Sequence, residues 1–433
     1  MNLLEHLKRL PTETVLVDDG SKLVTCGQLL DNALAWKRAF ESHPQYTQCA
    51  LFCENRVRFT EAMLGAWCAG IRTILPTDMT EFTRAQLTNA ETAFIFDETA
   101  DCEPLSQSAS SQLQELQLNL GRPLVELFTS GSTGQPTRIV KTLEQIFAGI
   151  ESLDSKFPVA IAPHATVYST VSHQHIYGFL WALLWPLASG RKISGTRLLF
   201  PEAICERLSQ TPECVLVSSP AHLRRLPEEL NWKKARANLS ALISSGGPLD
   251  EEALRLTKRV FDRTPYEILG STELDGIAWR QRRLDGDKIA EESTYWQAMP
   301  ETEVLTGANG IISVKSARLG PEAIQGDDRI ECLPDGRFKL LGRIDRIVKI
   351  EEKRVSLSAM ETHATDSGLL SQCKVFLLSD SGQLALLAVP NDNGLKLLRT
   401  QGKLALVRAL QKHLLQRFEP VMLPHRWRFE PML

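Results

Sequence analysis

Between Leu127 and Thr142 the chain reads LFTSGSTGQPTRIVKT, where Gly131 and Gly134 stand among the hydroxyls of Thr129, Ser130, Ser132 and Thr133, directly after the apolar run PLVELF. Ordering so polar and flexible a loop costs conformational entropy, so it either turns the chain sharply or holds something. Glycine lets backbone approach a ligand closely. Successive N–H groups of a glycine-rich turn converge on an anion, and hydroxyls add donors without bulk. A phosphate cradle is the chemical reading, and a plain hairpin or linker is the alternative that composition leaves open. The spacing matches neither the GxxxxGK[ST] phosphate loop nor the G-x-S-x-G nucleophile elbow. Further glycine-rich or titratable segments stand downstream: SHQHIYG (Ser172–Gly178), SSGGPL (Ser244–Leu249), LGSTE (Leu269–Glu273), GDD (Gly326–Asp328) and LGRIDRIVKI (Leu341–Ile350). Taken singly, each has a plain reading. His175 or His173 would be structural, Glu273 an exposed carboxylate at a helix start, and Asp327 a turn residue. Arg343 would be a surface ion pair and Lys349 a solvated cation.

The elements that must position these residues alternate in type. Thr25 is placed to cap a helix over GQLLDNALAWKRAF, CALFC suits a buried strand, RFTEAMLGAWCAG a helix stopping at Gly70, and IRTILPT a strand. TRAQLTNA with TAFIFDE, PEAICERLSQ with CVLVSS, and SALISSGG with DEEALRLTKRVFDR continue the alternation, with AHLRRL a further short helix. Continuously apolar strands separated by helices predict an α/β fold of helix-flanked, mostly parallel sheets. After about residue 300 the pattern changes to strands with turns (GIISVKSA, GRFKLLGRI, RIVKIEEKRVSL). A small α+β region follows, with the strands KVFLLS and LALLAV and a helix near GKLALVRALQKHLLQRF. SQSASSQLQELQLNL is expected to be a loop leading into an exposed helix, and MNLLEHLKRL a short amphipathic helix rather than a signal peptide.

Composition narrows the function classes. A formal net charge of −3 and the absence of a basic stripe argue against a nucleic-acid partner. IYGFLWALLWPLASG falls short of a membrane span and reads as a buried helix. Nine cysteines, none in a CxxC pair, suit reduced and mostly buried thiols in a cytoplasmic protein, and structural zinc is not expected. A Rossmann-type dehydrogenase is excluded because no G-x-G-x-x-G follows the first strand.

In their order along the chain, FTSGSTGQP, SHQHIYG, SSGGPL, LGSTE, GDD and LGRIDRIVKI resemble the signature motifs of the adenylate-forming superfamily, which includes acyl-CoA synthetases, peptide-synthetase adenylation domains and luciferases. The resemblance implies ATP-dependent activation of a small carboxylic acid as acyl-AMP. Transfer to a thiol follows, either of CoA or of the phosphopantetheine arm of an acyl carrier protein. It implies that Thr129, Ser130, Gly131, Ser132, Thr133 and Gly134 hold the β- and γ-phosphates, that Thr272 touches the α-phosphate, and that Glu273 holds Mg2+. Ser271, Gly246 and Gly247 would line the ATP site, Asp327 and Arg343 would hold the ribose, and His175, Tyr177, Gly178 and Ser245 would border the acyl pocket. The stretch GFLWALLW behind His175 is expected to be core rather than pocket wall. A large domain over 1–342 and a small mobile domain over 343–433 would meet at a hinge near Asp345, with Lys349 lining the thioester-forming face.

Several positions depart from the family pattern. Thr137 and Arg138 follow Pro136 where Pro-Lys is usual, so Arg138 or Lys141 is expected to supply that charge. Leu269 replaces an aromatic residue, and Glu352 stands where the hinge loop usually has glycine. No Gly-Lys pair follows the strand-like RWRF near the C-terminus, which suggests an end-truncation. The alternative to a ligase is a relative that binds nucleotide or acyl groups for regulation and has lost the chemistry. The compact length favours a carrier-protein acceptor, and the apolar stretch after His175 an aryl or medium-length fatty acid.

Overall fold

The computed structural model describes residues 2–20, 22–76, 78–105, 113–130, 136–156, 161–286, 288–307, 310–343, 347–378 and 381–430. The chain divides into two units. One comprises residues 1–77, 89–127 and 139–342, and the other 78–88, 128–138 and 343–433.

The first unit is built on parallel strands whose apolar sequences suit burial on both faces. In a nine-stranded sheet, Tyr266–Ser271, Leu239–Ser244, Cys214–Ser218, Thr166–Ser169, Lys192–Ser194 and Val15–Asp18 run parallel in that order. Asp275–Arg280 with Gln297–Ala298 at one side and Leu23–Thr25 at the other close it antiparallel. Every residue of Cys214–Ser218 is buried, as its unbroken apolar run predicts. A five-stranded sheet takes the order Thr92–Phe96, Gln48–Phe52, Arg72–Leu75, Val125–Ser130, Pro136–Lys141, its first four strands parallel. A four-stranded sheet joins Thr302–Thr306, Ile311–Ser316, Ile324–Cys332 and Phe338–Arg343.

Local signals explain the helix ends. The Thr25 hydroxyl accepts from the Gln28 N–H at 3.3 Å and the Gln28 side chain accepts from the Thr25 N–H at 3.0 Å. This reciprocal cap starts the helix Cys26–Glu41. Helix Arg56–Ala69 stops at Gly70, whose φ of 75° is the left-handed conformation glycine adopts at little cost. A Cβ at Gly65 would lie 2.4 Å from that of Trp36, so glycine alone lets these two helices approach. The GFLWALLW segment is core, as expected: Phe179–Leu184 forms a fully buried π-helical turn between Ile176–Gly178 and Trp185–Ala188. One expectation fails. Within SQSASSQLQELQLNL the described residues, 113–120, hold a single 3-10 turn, Leu113–Glu115, followed by irregular chain and not an exposed helix. The reason is Leu116, which is fully buried in the core and whose carbonyl accepts from Lys8 Nζ at 2.6 Å, so the segment is pinned by its apolar residue. The nine cysteines are unpaired, six of them buried. No described helix is long and apolar enough to cross a membrane.

In the second unit, residues 347 onward form the hairpin Ile347–Ile350 with Lys353–Ser356, the helix Leu357–Asp366 and a three-stranded sheet. In that sheet Arg426–Phe429 lies parallel to Leu384–Pro390. The helix Asp392–Leu414 is broken at Gly402 (φ 83°). Met360, Val375, Leu386, Leu406, Leu410 and Leu414 make a core of their own.

Candidate active site

Five parallel strands of the nine-stranded sheet end in a serine: Ser169, Ser194, Ser218, Ser244 and Ser271. The carboxyl ends of parallel strands are where open α/β sheets bind ligands. Two of the singled-out segments converge there on one carbonyl. Tyr177 Oη donates to the Ser218 carbonyl at 3.0 Å, and the Ser245 N–H reaches the same oxygen at 3.4 Å. Ser245 Oγ donates in turn to the Ile268 carbonyl at 2.8 Å, tying the loop to the next strand. Gly246 takes φ 95°, which suits glycine, and Gly247 follows it half-buried at the same rim. A Cβ at Gly178 would come within 2.0 Å of the Ser172 carbonyl, so the tight fold of SHQHIYG requires glycine at its end. The two histidines of this segment separate clearly. His173 is fully buried, edge-on to Phe59 with centroids 4.5 Å apart, and burial with the nearby Arg56 cation holds its pKa well below the usual value. His175 is half-buried at the start of the turn. Of the two it is the less buried.

LGSTE forms the tip of a hairpin. Gly270 pairs with Gly276 and Ser271 with Asp275, leaving Thr272, Glu273 and Leu274 as the connection, with Ser271 Oγ accepting from the Leu274 N–H at 3.2 Å. A Cβ at Gly270 would meet the Asp275 carbonyl at 2.1 Å, so this hairpin closes only over glycine. Thr272 and Glu273 are half-buried. A Cβ at Gly326 would lie 3.0 Å from Leu274 Cδ1, so the strand bearing Asp327 passes against the hairpin tip. Asp327 is half-buried beside it. Leu269 packs with the cluster around Leu274, Ile277 and Trp296. Behind the tip, the Glu267 carboxylate pairs with both Arg280 and Arg282, and Arg282 Nη2 donates to the Leu249 carbonyl at 2.7 Å. This anchors the far end of SSGGPL.

Other expected site residues fall elsewhere. Gly131, Ser132, Thr133, Gly134 and Asp345 lie outside the described residues, as do the side chains of Thr129, Ser130 and Arg343. Lys349 is exposed on the hairpin of the second unit, opposite Arg354. Lys141 is a correction. Expected as a substitute for the missing loop lysine, it is 4% exposed and ion-paired with Asp275 Oδ1 at 3.0 Å, so its charge is committed to the Glu273 hairpin. Exposed Arg138, whose guanidinium lies 5.7 Å from the Phe128 ring centroid, keeps that role open. Asp275 and the Ser218 carbonyl went unnoticed in sequence. Asp275 is two residues beyond LGSTE, and no local pattern marks a buried partner more than a hundred residues away.

A family model described as AMP-binding enzyme matches residues 3–305. A 4-coumarate–CoA ligase of Cereibacter sphaeroides is 26% identical over 232 residues, covering 54% of this chain and 51% of that protein. An acetyl-coenzyme A synthetase of Escherichia coli is 24% identical over 225 residues, covering 49% of this chain and 30% of that protein. The chain thus spans about half, or less, of the curated relatives it matches. Among solved structures, the amide bond synthetase McbA of Marinactinospora thermotolerans superposes with a TM-score of 0.80 at 16% identity, covering 100% of this chain and 96% of that one. The o-succinylbenzoate CoA synthetase MenE of Bacillus subtilis gives 0.80 at 13% identity, covering 100% and 95%. With the family model covering well over half its length, the chain belongs to the AMP-binding enzyme family.

Proposed function

We propose that the protein activates a small carboxylic acid with ATP and passes the acyl group to a thiol. The observation that carries this reading is the meeting, in one unit, of the Tyr177 turn with the Ser245–Gly247 loop, and of the Thr272–Glu273 hairpin with the Asp327 strand. In the first step a carboxylate oxygen bonds to the α-phosphorus as the bond to pyrophosphate breaks. In the second, a thiol sulfur bonds to the acyl carbon, AMP leaves and the thiol proton is released. Two anions must meet in the first step, so oriented donors and positive charge matter more than a base. Thr272 donates to the α-phosphate, the Gly246–Gly247 backbone lies under adenine, Asp327 accepts from the ribose hydroxyls, Arg343 would add a ribose or phosphate contact, and His175 borders the acid. Residues 129–134 take the outer phosphates. Among the described residues no group of three or more His, Cys, Asp or Glu side chains converges. A single half-buried carboxylate at a hairpin tip suits Mg2+, which takes one or two protein carboxylates and completes its shell with phosphate and water. Glu273 would hold it, and the ion would offset phosphate charge.

The second unit, with Asp345 as hinge and Lys349 on its hairpin, would present the thiol to the acyl-AMP. A phosphopantetheine arm on an acyl carrier protein is the favoured acceptor, with CoA next and an aryl or medium-chain fatty acid as substrate. The free thiols suit the reducing cytoplasm. ATP–pyrophosphate exchange across a panel of aryl, fatty and short acids tests the first step. Exchange with one acid class, and its loss by about 10²–10³-fold in Glu273→Gln, is the expected result. No exchange with any acid, together with no binding of ATP, would overturn the proposal. Adding CoA, a phosphopantetheinylated carrier or an amine to the preformed acyl-AMP then identifies the acceptor.

A further inference from the structure

The hairpin that carries Thr272 and Glu273 is held from behind by charges that touch no proposed substrate. Asp275 closes it with φ 58°, a left-handed conformation that costs a residue other than glycine about 1 kcal/mol or more. Its side chain and that of Lys141 are 4% and 5% exposed and lie 3.0 Å apart. The next residue, Gly276, offers its carbonyl to Arg318 Nη2 at 3.2 Å, and the same nitrogen donates to Thr302 Oγ1 at 2.8 Å. Arg318 is itself 5% exposed. Two buried cations therefore grip the two residues that end the connection. Lys141 also ends the strand Pro136–Lys141, which the chain enters on leaving the glycine loop. Desolvating three charged side chains is costly, and apolar residues of equal volume would stabilise the fold as well or better. A network kept at that cost on the backbone of the metal-holding carboxylate has a positional use.

We infer that Lys141 and Asp275, backed by Arg318, are positioning residues that fix the Thr272–Glu273 tip in the geometry that receives the metal–nucleotide complex. This rests on the ligase reading above. The pair acts through the backbone: Asp275 held by Lys141 keeps the register Ser271 to Asp275, and that register sets where the Glu273 carboxylate stands.

The test is titration calorimetry of ATP on the full chain, with Mg2+ and with chelator. The ratio of the two affinities is read, because it is insensitive to the folded fraction. Wild type is expected to bind ATP at least 10-fold tighter with Mg2+, and Glu273→Gln to lose that preference. Lys141→Met/Asp275→Asn removes both charges at similar volume, and asparagine tolerates φ above zero. The double variant should fold, by circular dichroism, and its Mg2+ preference should fall to about twofold or less while metal-free ATP affinity stays within about twofold. Single Asp275→Asn is the second variant and should lose most of the preference too. If both variants keep the wild-type ratio while Glu273→Gln loses it, the inference fails and the ligase reading stands. If wild type shows no ATP binding, or Glu273→Gln keeps the preference, the ligase reading fails and takes this inference with it.

Discussion

Glu61 stands on the helix Arg56–Ala69 with 8% exposure, accepting a hydrogen bond from Asn32 Nδ2 at 2.7 Å. Burial raises its pKa from 4.5 to about 7, only partly offset by the Asn32 bond and by Lys22 and Arg58. The sign follows from proton binding. Below pH 4.5 both folded and unfolded chains carry the proton. Between 4.5 and 7 the folded chain holds it more tightly, so stability falls as pH rises, and above 7 the full cost of a buried carboxylate is felt. That cost is about 3 kcal/mol, taken from the shift of the folded pKa. Glu61→Gln should therefore match wild type in urea midpoint at pH 4 and exceed it at pH 8, and a variant no more stable at pH 8 would show that Glu61 is not the group responsible. His173 titrates in the opposite sense. Burial and Arg56 lower its pKa, so the folded chain resists its protonation and stability falls as pH drops through the ordinary histidine range near 6.5. His173→Gln should flatten the acid limb of the stability profile between pH 6.5 and 5 without abolishing exchange, whereas His175, at the rim of the site, should affect turnover of the acid instead. Nothing in SHQHIYG alone distinguishes the two rings. Their difference is that one side chain meets Phe59, from a helix more than a hundred residues earlier.

Turns decide where the side chains of the site stand. At the Gly270 hairpin, any Cβ would strike the Asp275 carbonyl, and relief requires moving the backbone that bears Glu273. Gly270→Ala should cost about 2–3 kcal/mol in a denaturation midpoint and at least 10-fold in Mg2+-dependent ATP affinity; retention of both would show that the close approach is relaxed in solution. The reverse situation holds at the turn between Ile347–Ile350 and Lys353–Ser356. There Glu351 and Glu352 take φ 47° and 74°, a pair of left-handed residues where Asn-Gly is the usual solution. Glu351→Asn/Glu352→Gly should stabilise this unit by about 1–2 kcal/mol. The contrast marks what was legible in sequence. Elements whose ends are set by their own neighbours, such as the Thr25 cap, the Gly70 stop and the CVLVS strand, were readable, because capping and burial patterns are local. LGSTE was recognised as a motif, yet its hairpin, its glycine clash and its Lys141 partner depend on strand register, which a single strand does not state. The SQSASSQLQELQLNL misreading has the same origin, since Leu116 outweighs its polar surroundings only through contacts that the segment itself does not contain.

At the scale of the molecule, the buried residues form separate clusters. Met360, Val375, Leu386, Leu406 and Leu414 belong to one confined to residues 350–427, while the sheets of the first unit share cores that include Leu51, Trp67, Val215 and Ile243. Units with separate apolar cores are able to unfold separately, because neither loses its own burial when the other opens. The substitutions above then become labels. Scanning calorimetry should resolve two transitions. Glu351→Asn/Glu352→Gly should raise only the one belonging to the second unit, by several degrees for a gain of about 1 kcal/mol in a unit of that size. Glu61→Gln at pH 8 should raise only the other. Saturating ATP with Mg2+ should move at least the transition labelled by Glu61, since Glu273, Asp327 and Gly246 lie in that unit, and binding to a folded unit stabilises it by mass action. If each label shifts both transitions equally, the two cores unfold as one, and a second unit able to turn between the half-reactions would lose its physical basis.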